Sequence, residues 1–183
     1  MNIIKTVLGT ALLASMIIGA PGARASEEER EHQGLMVSLR EVGVTVSIND
    51  PLCQERDANG MYHSQSQLLI VCQDNAKWSG EEVKWTANDY DTLRHEAHHV
   101  LQDCVGGELG DGVLSDYFDD TDEYLEFISN ALGVERMRVI VELYGENGAS
   151  EEVILNELEA FAVADSVSAS VIGNGITAVC GVK

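Results

Sequence analysis

The sequence predicts an α+β domain, with a small antiparallel or mixed sheet packed on one helix and a mainly helical C-terminal half after it. Three observations predict this order. Short aliphatic runs suited to strands lie between residues 42 and 72. A helical period takes over near residue 88 and stops at Gly106-Gly107. Beyond that point apolar residues recur at helical spacing, punctuated by Gly145 and Asn147-Gly148.

The elements follow in order. Residues 28–40 form a charged opening helix. Val42, Val44, Val46 and Ile48 alternate with Gly43, Thr45 and Ser47, as a half-buried strand should, and Asp50-Pro51 ends the run. A loop with Cys53 and Asn59-Gly60 leads to strands at 61–64 and 68–72, the second rich in aliphatic residues. After a polar connection through Trp78-Ser79-Gly80, a helix starts at Asn88 or Asp89 and runs to Cys104. Its Leu93, Ala97, Val100 and Cys104 make one apolar stripe that should face the sheet. Helices are expected at 124–132 and 135–144, and another opens at Ser150, a side-chain cap followed by Glu151 and Glu152 at the positive end of the dipole. The tail 167–179 is small and weakly patterned. With no repeat and no long linker, residues 26–183 are expected to form one domain, strands and active helix in 26–105 and the helical half in 106–183.

Composition sets the class of partner. The chain has 183 residues, 31 acidic against 11 basic side chains and a formal charge of −20. Nucleic acid and anionic membrane surfaces are thereby excluded as partners, because both need clustered Lys and Arg. Residues 1–25 carry one lysine, an uncharged apolar run over 7–20, Pro21-Gly22 and Ala23-Arg24-Ala25. That is the pattern of a signal peptide cleaved after Ala25, with an apolar run shorter than the roughly 20 residues of a spanning helix. The expected product is secreted or periplasmic, with no stable membrane anchor, and carries 31 acids against 9 bases, a net of −22.

Four cysteines follow the leader, and export permits disulfides. Three pairings are possible in principle. Cys53 with Cys72 and Cys104 with Cys180 are favoured, since Gly60 sits between the first two in a hairpin-like stretch and the last two each end an element. No C-x-x-C spacing exists to suggest a cysteine zinc site.

The expected helix at 88–104 carries the chemistry. His95-Glu96-Ala97-His98-His99 is an instance of H-E-x-x-H. Side chains four apart on a helix project from adjacent turns in one direction, so His95 and His99 can bind one zinc ion, with Glu96 placed as general base. His98 is expected to be exposed or to lie behind the ligands. Such a site needs a third protein ligand and one open position. No histidine follows His99, so a carboxylate from the helix after Ser150 must supply it. Periodicity leaves two choices: Glu157 shares a stripe with Val153 and Ala164, Glu159 with Leu155 and Ala162.

These two helices resemble those of the gluzincin branch of the zincin metallopeptidases, where H-E-x-x-H is followed by a helix bearing a glutamate ligand, often within E-x-E-A. The matching stretch here is Glu157-Leu158-Glu159-Ala160. The resemblance implies a zincin-like fold, a Zn2+ ion held by His95, His99 and Glu159 with Glu157 as the fallback, and hydrolysis of a peptide or protein substrate with Glu96 as base. It also implies an edge strand that pairs with extended substrate, which 61–64 or 67–72 could supply. An oxyanion donor is needed as well; Tyr144 is preferred over Tyr124, Tyr117 and His63 because it lies in a helical run shortly before the ligand helix. The E-x-x-x-D form of the motif fails, since Phe161 and Val163 stand where its aspartate would be, and 106–149 matches no part of the family pattern. The alternative function is a non-catalytic exported zinc-binding or structural module, which would have no need for Glu96. Acids from Asp111 to Glu126 suggest either a calcium site or a solvated face.

Overall fold

The computed structural model describes residues 26–55, 58–118 and 120–181; the expected signal peptide lies outside them. The chain opens with helix α1 (Glu27–Glu41), capped by the Ser26 hydroxyl on the Glu29 amide. Strand β1 (Thr45–Ile48), strand β2 (Gly60–His63) and strand β3 (Leu68–Val71) follow, with single 3-10 turns at Pro51–Gln54 and Ser64–Ser66. Then come four helices: α2 (Ala87–Gly106), α3 (Thr121–Glu146), α4 (Glu151–Ser166) and α5 (Ala169–Cys180).

The α+β order stands as expected, and the sheet is the mixed form. Its strand order is β1-β3-β2, with β1 parallel to β3 and β2 antiparallel to it. Leu69 lies opposite both Val46 and Tyr62. The aliphatic run of β3 is therefore central, with Leu69, Ile70 and Val71 fully buried, which removes 67–72 as a candidate edge and leaves β2 in that role.

The main core lies where α1, α5 and the sheet close around α2: Leu35, Leu39, Leu69, Leu93, Val100 and Ile176 meet there. The expected stripe Leu93, Ala97, Val100 and Cys104 faces this core. A second cluster, Tyr124, Ile128, Leu132, Ile140, Leu158 and Ala162, joins α3 to α4. Helix α4 is thus packed on two sides, against α2 and against α3. Helix α3 breaks at Gly133, whose φ of 69° and ψ of 160° are not helical, where the sequence predicted a gap between two helices. Two expectations change. Helix α2 starts one turn's edge earlier, at a capping box in which the Thr86 hydroxyl accepts from the Asp89 amide and the Asp89 carboxylate from the Thr86 amide. The weakly patterned tail is helix α5, seated on α1.

Both expected disulfides are present, Cys53–Cys72 with Cα atoms 5.5 Å apart and Cys104–Cys180 at 5.4 Å. They indicate an oxidising, extracytoplasmic setting. Among the described residues no helix is long and apolar enough to cross a membrane. In the acidic segment, the Asp111 carboxylate accepts from the amides of Glu108 and Val113, and Asp120 caps α3 by accepting from those of Asp122 and Glu123. Those two acids tie chain ends down.

Candidate metal centre

Helix α2 is enclosed on nearly every side from Thr92 to Asp103, so polar side chains that would elsewhere meet water must meet each other. His95 and His99, four apart, bring their Nε2 atoms to 3.2 Å. Helix α4 crosses opposite and adds Glu157, with Oε2 3.2 Å from His95 Nε2 and Oε1 3.6 Å from His99 Nε2. Among the described residues, these three are the group of His, Cys, Asp or Glu side chains that could hold a metal ion.

Glu157, and not Glu159, is the carboxylate beside the histidine pair. The reason is the rotation of α4. Its Glu157 meets the histidine pair, Phe161 and Ala164 on the same stripe line the cleft beside α2, and Phe161 rests on the His95 ring with centroids 4.4 Å apart. Glu159 stands on another face and is wholly buried. Its carboxylate accepts from Gln102 Nε2 at 3.0 Å and from the Tyr117 amide at 3.0 and 3.1 Å, and lies 3.2 Å from His98 Nε2. His98 is accordingly buried rather than exposed, behind the ligand pair.

The spacing of the three fits a metal ion. Ligand atoms about 2.0–2.1 Å from one centre, at tetrahedral angles, lie about 3.3 Å from each other, close to the 3.2 Å and 3.6 Å found here. Apart from its contact with His95 Nε2, Glu157 Oε2 is buried without a polar partner among the described residues, which an ion between the three would correct. Two imidazoles and one carboxylate suit a divalent transition-metal ion.

The ionisation pattern agrees. Burial pushes His95 down to about 4, helped by the charge of His99 and opposed by the Glu157 hydrogen bond. For His99 burial acts the same way but is outweighed by the hydrogen bond and charge of Glu157, which carry it to about 9. Burial alone would raise Glu157; hydrogen bonds from His95 and His99 and the His99 charge instead hold it well below the usual carboxylate range. One positive charge is therefore shared into a three-sided site, the place a cation would take.

Glu96 lies one residue past His95 on the cleft floor. Burial, with the nearby Glu157 charge, pushes it up to about 7 against the opposing pull of His99 and the Tyr62 backbone amide, which donates to it. A carboxylate poised near neutrality is suited to general base work. Gly60 on β2 allows this approach: a Cβ there would stand 2.5 Å from Thr92 Cγ2 and 2.9 Å from Glu96 Cγ. The cleft above has a volume of about 370 Å³, between β2 and α2 on one side and α3 and α4 on the other, and Asn59, Thr92, Arg136, Leu143 and Tyr144 are in its walls.

Tyr144 lines this cleft. Burial, with the Glu157 and Glu96 charges, raises its pKa beyond the ordinary phenol range, so it is a donor at all working pH. The other candidate donors are elsewhere. The Tyr124 hydroxyl donates to the Leu155 carbonyl at 2.7 Å, Tyr117 offers Glu159 its amide, and neither Tyr117, Tyr124 nor His63 lines the cleft. Sequence reasoning missed Gln102, whose Oε1 lies 2.7 Å from His99 Nδ1. Its position three residues beyond His99, on the same side of the helix, was the available signal.

Residues 28–180 match a family described as a domain of unknown function (DUF8637). No curated protein and no solved structure matches the chain.

Proposed function

The chain belongs to the DUF8637 family, a domain of unknown function, and from its own residues we propose that it is an exported zinc-dependent peptidase. The observation that carries the proposal is the convergence of His95, His99 and Glu157 beside Glu96, with His95 and Glu96 lining one cleft. A zinc ion held by the three would polarise a scissile carbonyl and acidify water at its open position. Glu96 takes the proton from the attacking water on its carboxylate and delivers it to the leaving nitrogen. The Tyr144 hydroxyl, on the α3 wall, is the donor to the developing oxyanion. An extended peptide lies along the free edge of β2, where main-chain pairing accepts many sequences. The two disulfides support export, and the resemblance of the two helices to gluzincins supports peptide bonds as the target.

The test is metal analysis of the purified protein with peptide-library hydrolysis by wild type and Glu96→Gln. One zinc per chain, hydrolysis by wild type and a loss of at least about 100-fold in the variant, with zinc retained, are expected. Bound zinc without turnover would leave a metal-binding module; no bound metal would remove both readings.

A further inference from the structure

Behind the histidine pair lies an enclosed polar cluster that the chemistry above does not use. Gln102 and Glu159 are both 0% exposed. Gln102 Nε2 donates to the Asn156 carbonyl at 3.0 Å and to Glu159 Oε2 at 3.0 Å, and its Oε1 faces His99 Nδ1 at 2.7 Å. A carbonyl oxygen and a carboxylate can only accept, so the amide must turn its NH2 toward them. Only its oxygen is left for the imidazole. That oxygen can only accept, so His99 keeps a proton on Nδ1 and its Nε2 faces His95 and Glu157. Glu159 is itself fixed by the Tyr117 amide, which donates to both its oxygens, at 3.0 and 3.1 Å. His95 has no equivalent support: its Nδ1 is buried without a partner among the described residues, and its ring rests on Phe161.

We infer that Gln102 is a positioning residue for the candidate metal centre: with its amide orientation set by Glu159 and the Asn156 carbonyl, it holds His99 in the Nδ1–H form that presents Nε2 to a metal ion. The effect on metal affinity rests on the zinc reading above; the tautomer does not. Glu159, the acid that the sequence motif singles out, thereby acts on the site through Gln102 rather than as a ligand. Partners of this kind, behind the ligands, change metal affinity by about 10- to 100-fold.

Two measurements test this. The first is long-range proton–nitrogen NMR of the zinc-free wild-type protein, read at a pH where the His99 spectrum itself shows one protonated and one bare ring nitrogen. A proton on Nδ1 is expected, and a proton on Nε2 overturns the inference. The second is zinc affinity by chelator competition. Gln102→Leu, which keeps the bulk and removes the acceptor, should bind about 10- to 100-fold more weakly. Unchanged affinity in Gln102→Leu overturns the inference. A wild-type protein that binds no zinc removes the peptidase reading, and the NMR result still decides the role of Gln102.

Discussion

Two glutamates two residues apart on α4 have opposite surroundings, and the difference sets their roles. Glu157 meets two imidazoles across the cleft, whereas Glu159 meets an amide, a backbone N–H and His98 in the interior. Glu157→Gln is expected to weaken zinc binding by more than about 100-fold, because it neutralises a ligand, while Glu159→Gln should cost tenfold or less. Chelator competition on the two variants checks this, and equal losses would place the third ligand elsewhere. His95, Glu96 and His99 were legible in the sequence because spacing along one helix fixes their geometry. The choice between Glu157 and Glu159 was not, since it depends on how α4 rotates between two packed neighbours. The stripe Glu157, Phe161, Ala164, with a large apolar residue one turn after the acid, held the answer without announcing it.

Elements were legible where large apolar residues set a period, and illegible where small ones let backbones approach. Helix α5 illustrates the second case. Its core stripe is Ala169, Ile172, Ile176 and Cys180, and beside it a Cβ at Gly173 would stand 3.1 Å from Ser38 Oγ and 3.5 Å from Leu35 Cα on α1, so small residues share the face with only two isoleucines. The bridge from Cys180 to Cys104 at the last turn of α2 adds a covalent anchor. Closing a loop with a sequence separation of 76 contributes about 4 kcal/mol by restricting the unfolded chain. The Cys104→Ser, Cys180→Ser double variant should therefore lose about 4 kcal/mol in urea unfolding, with a larger m-value because the unbridged unfolded chain is less compact. A loss below about 1 kcal/mol would show that packing of α5 on α1 suffices without the bridge.

Across the molecule the acidic surplus leaves little room for basic side chains, and several of those present act as ties. Arg94 joins three helices: its Nε donates to the Ala164 carbonyl at 2.8 Å, a terminal nitrogen meets Asp91, and Nη1 donates to His32 Nε2 at 2.7 Å. His32 in turn donates from Nδ1 to the Glu28 carbonyl at 2.7 Å. This arrangement requires a neutral imidazole. Burial, with the Arg94 charge, lowers the His32 pKa from 6.5 against the Glu28 carbonyl bond and the Glu28 and Glu31 charges. Because the folded value lies below the unfolded one, the contribution is complete above about pH 6.5 and is lost as pH falls through the folded value. His32→Asn should destabilise more at pH 7.5 than at pH 5, measured by urea unfolding at both. An equal loss at the two pH values would mean that His32 does not titrate between the states.

The Cys104–Cys180 bridge also decides what a chain break does. Its ring contains α3, α4 and Glu157, while both histidines and Glu96 lie just before it. A single nick anywhere inside the ring leaves the two sides of the centre in one covalent molecule. The severed ends stay at millimolar effective concentration, so the cut helix can re-dock instead of diffusing away. Durability against cleavage is thus built into the connectivity, whatever the stability of the uncut fold.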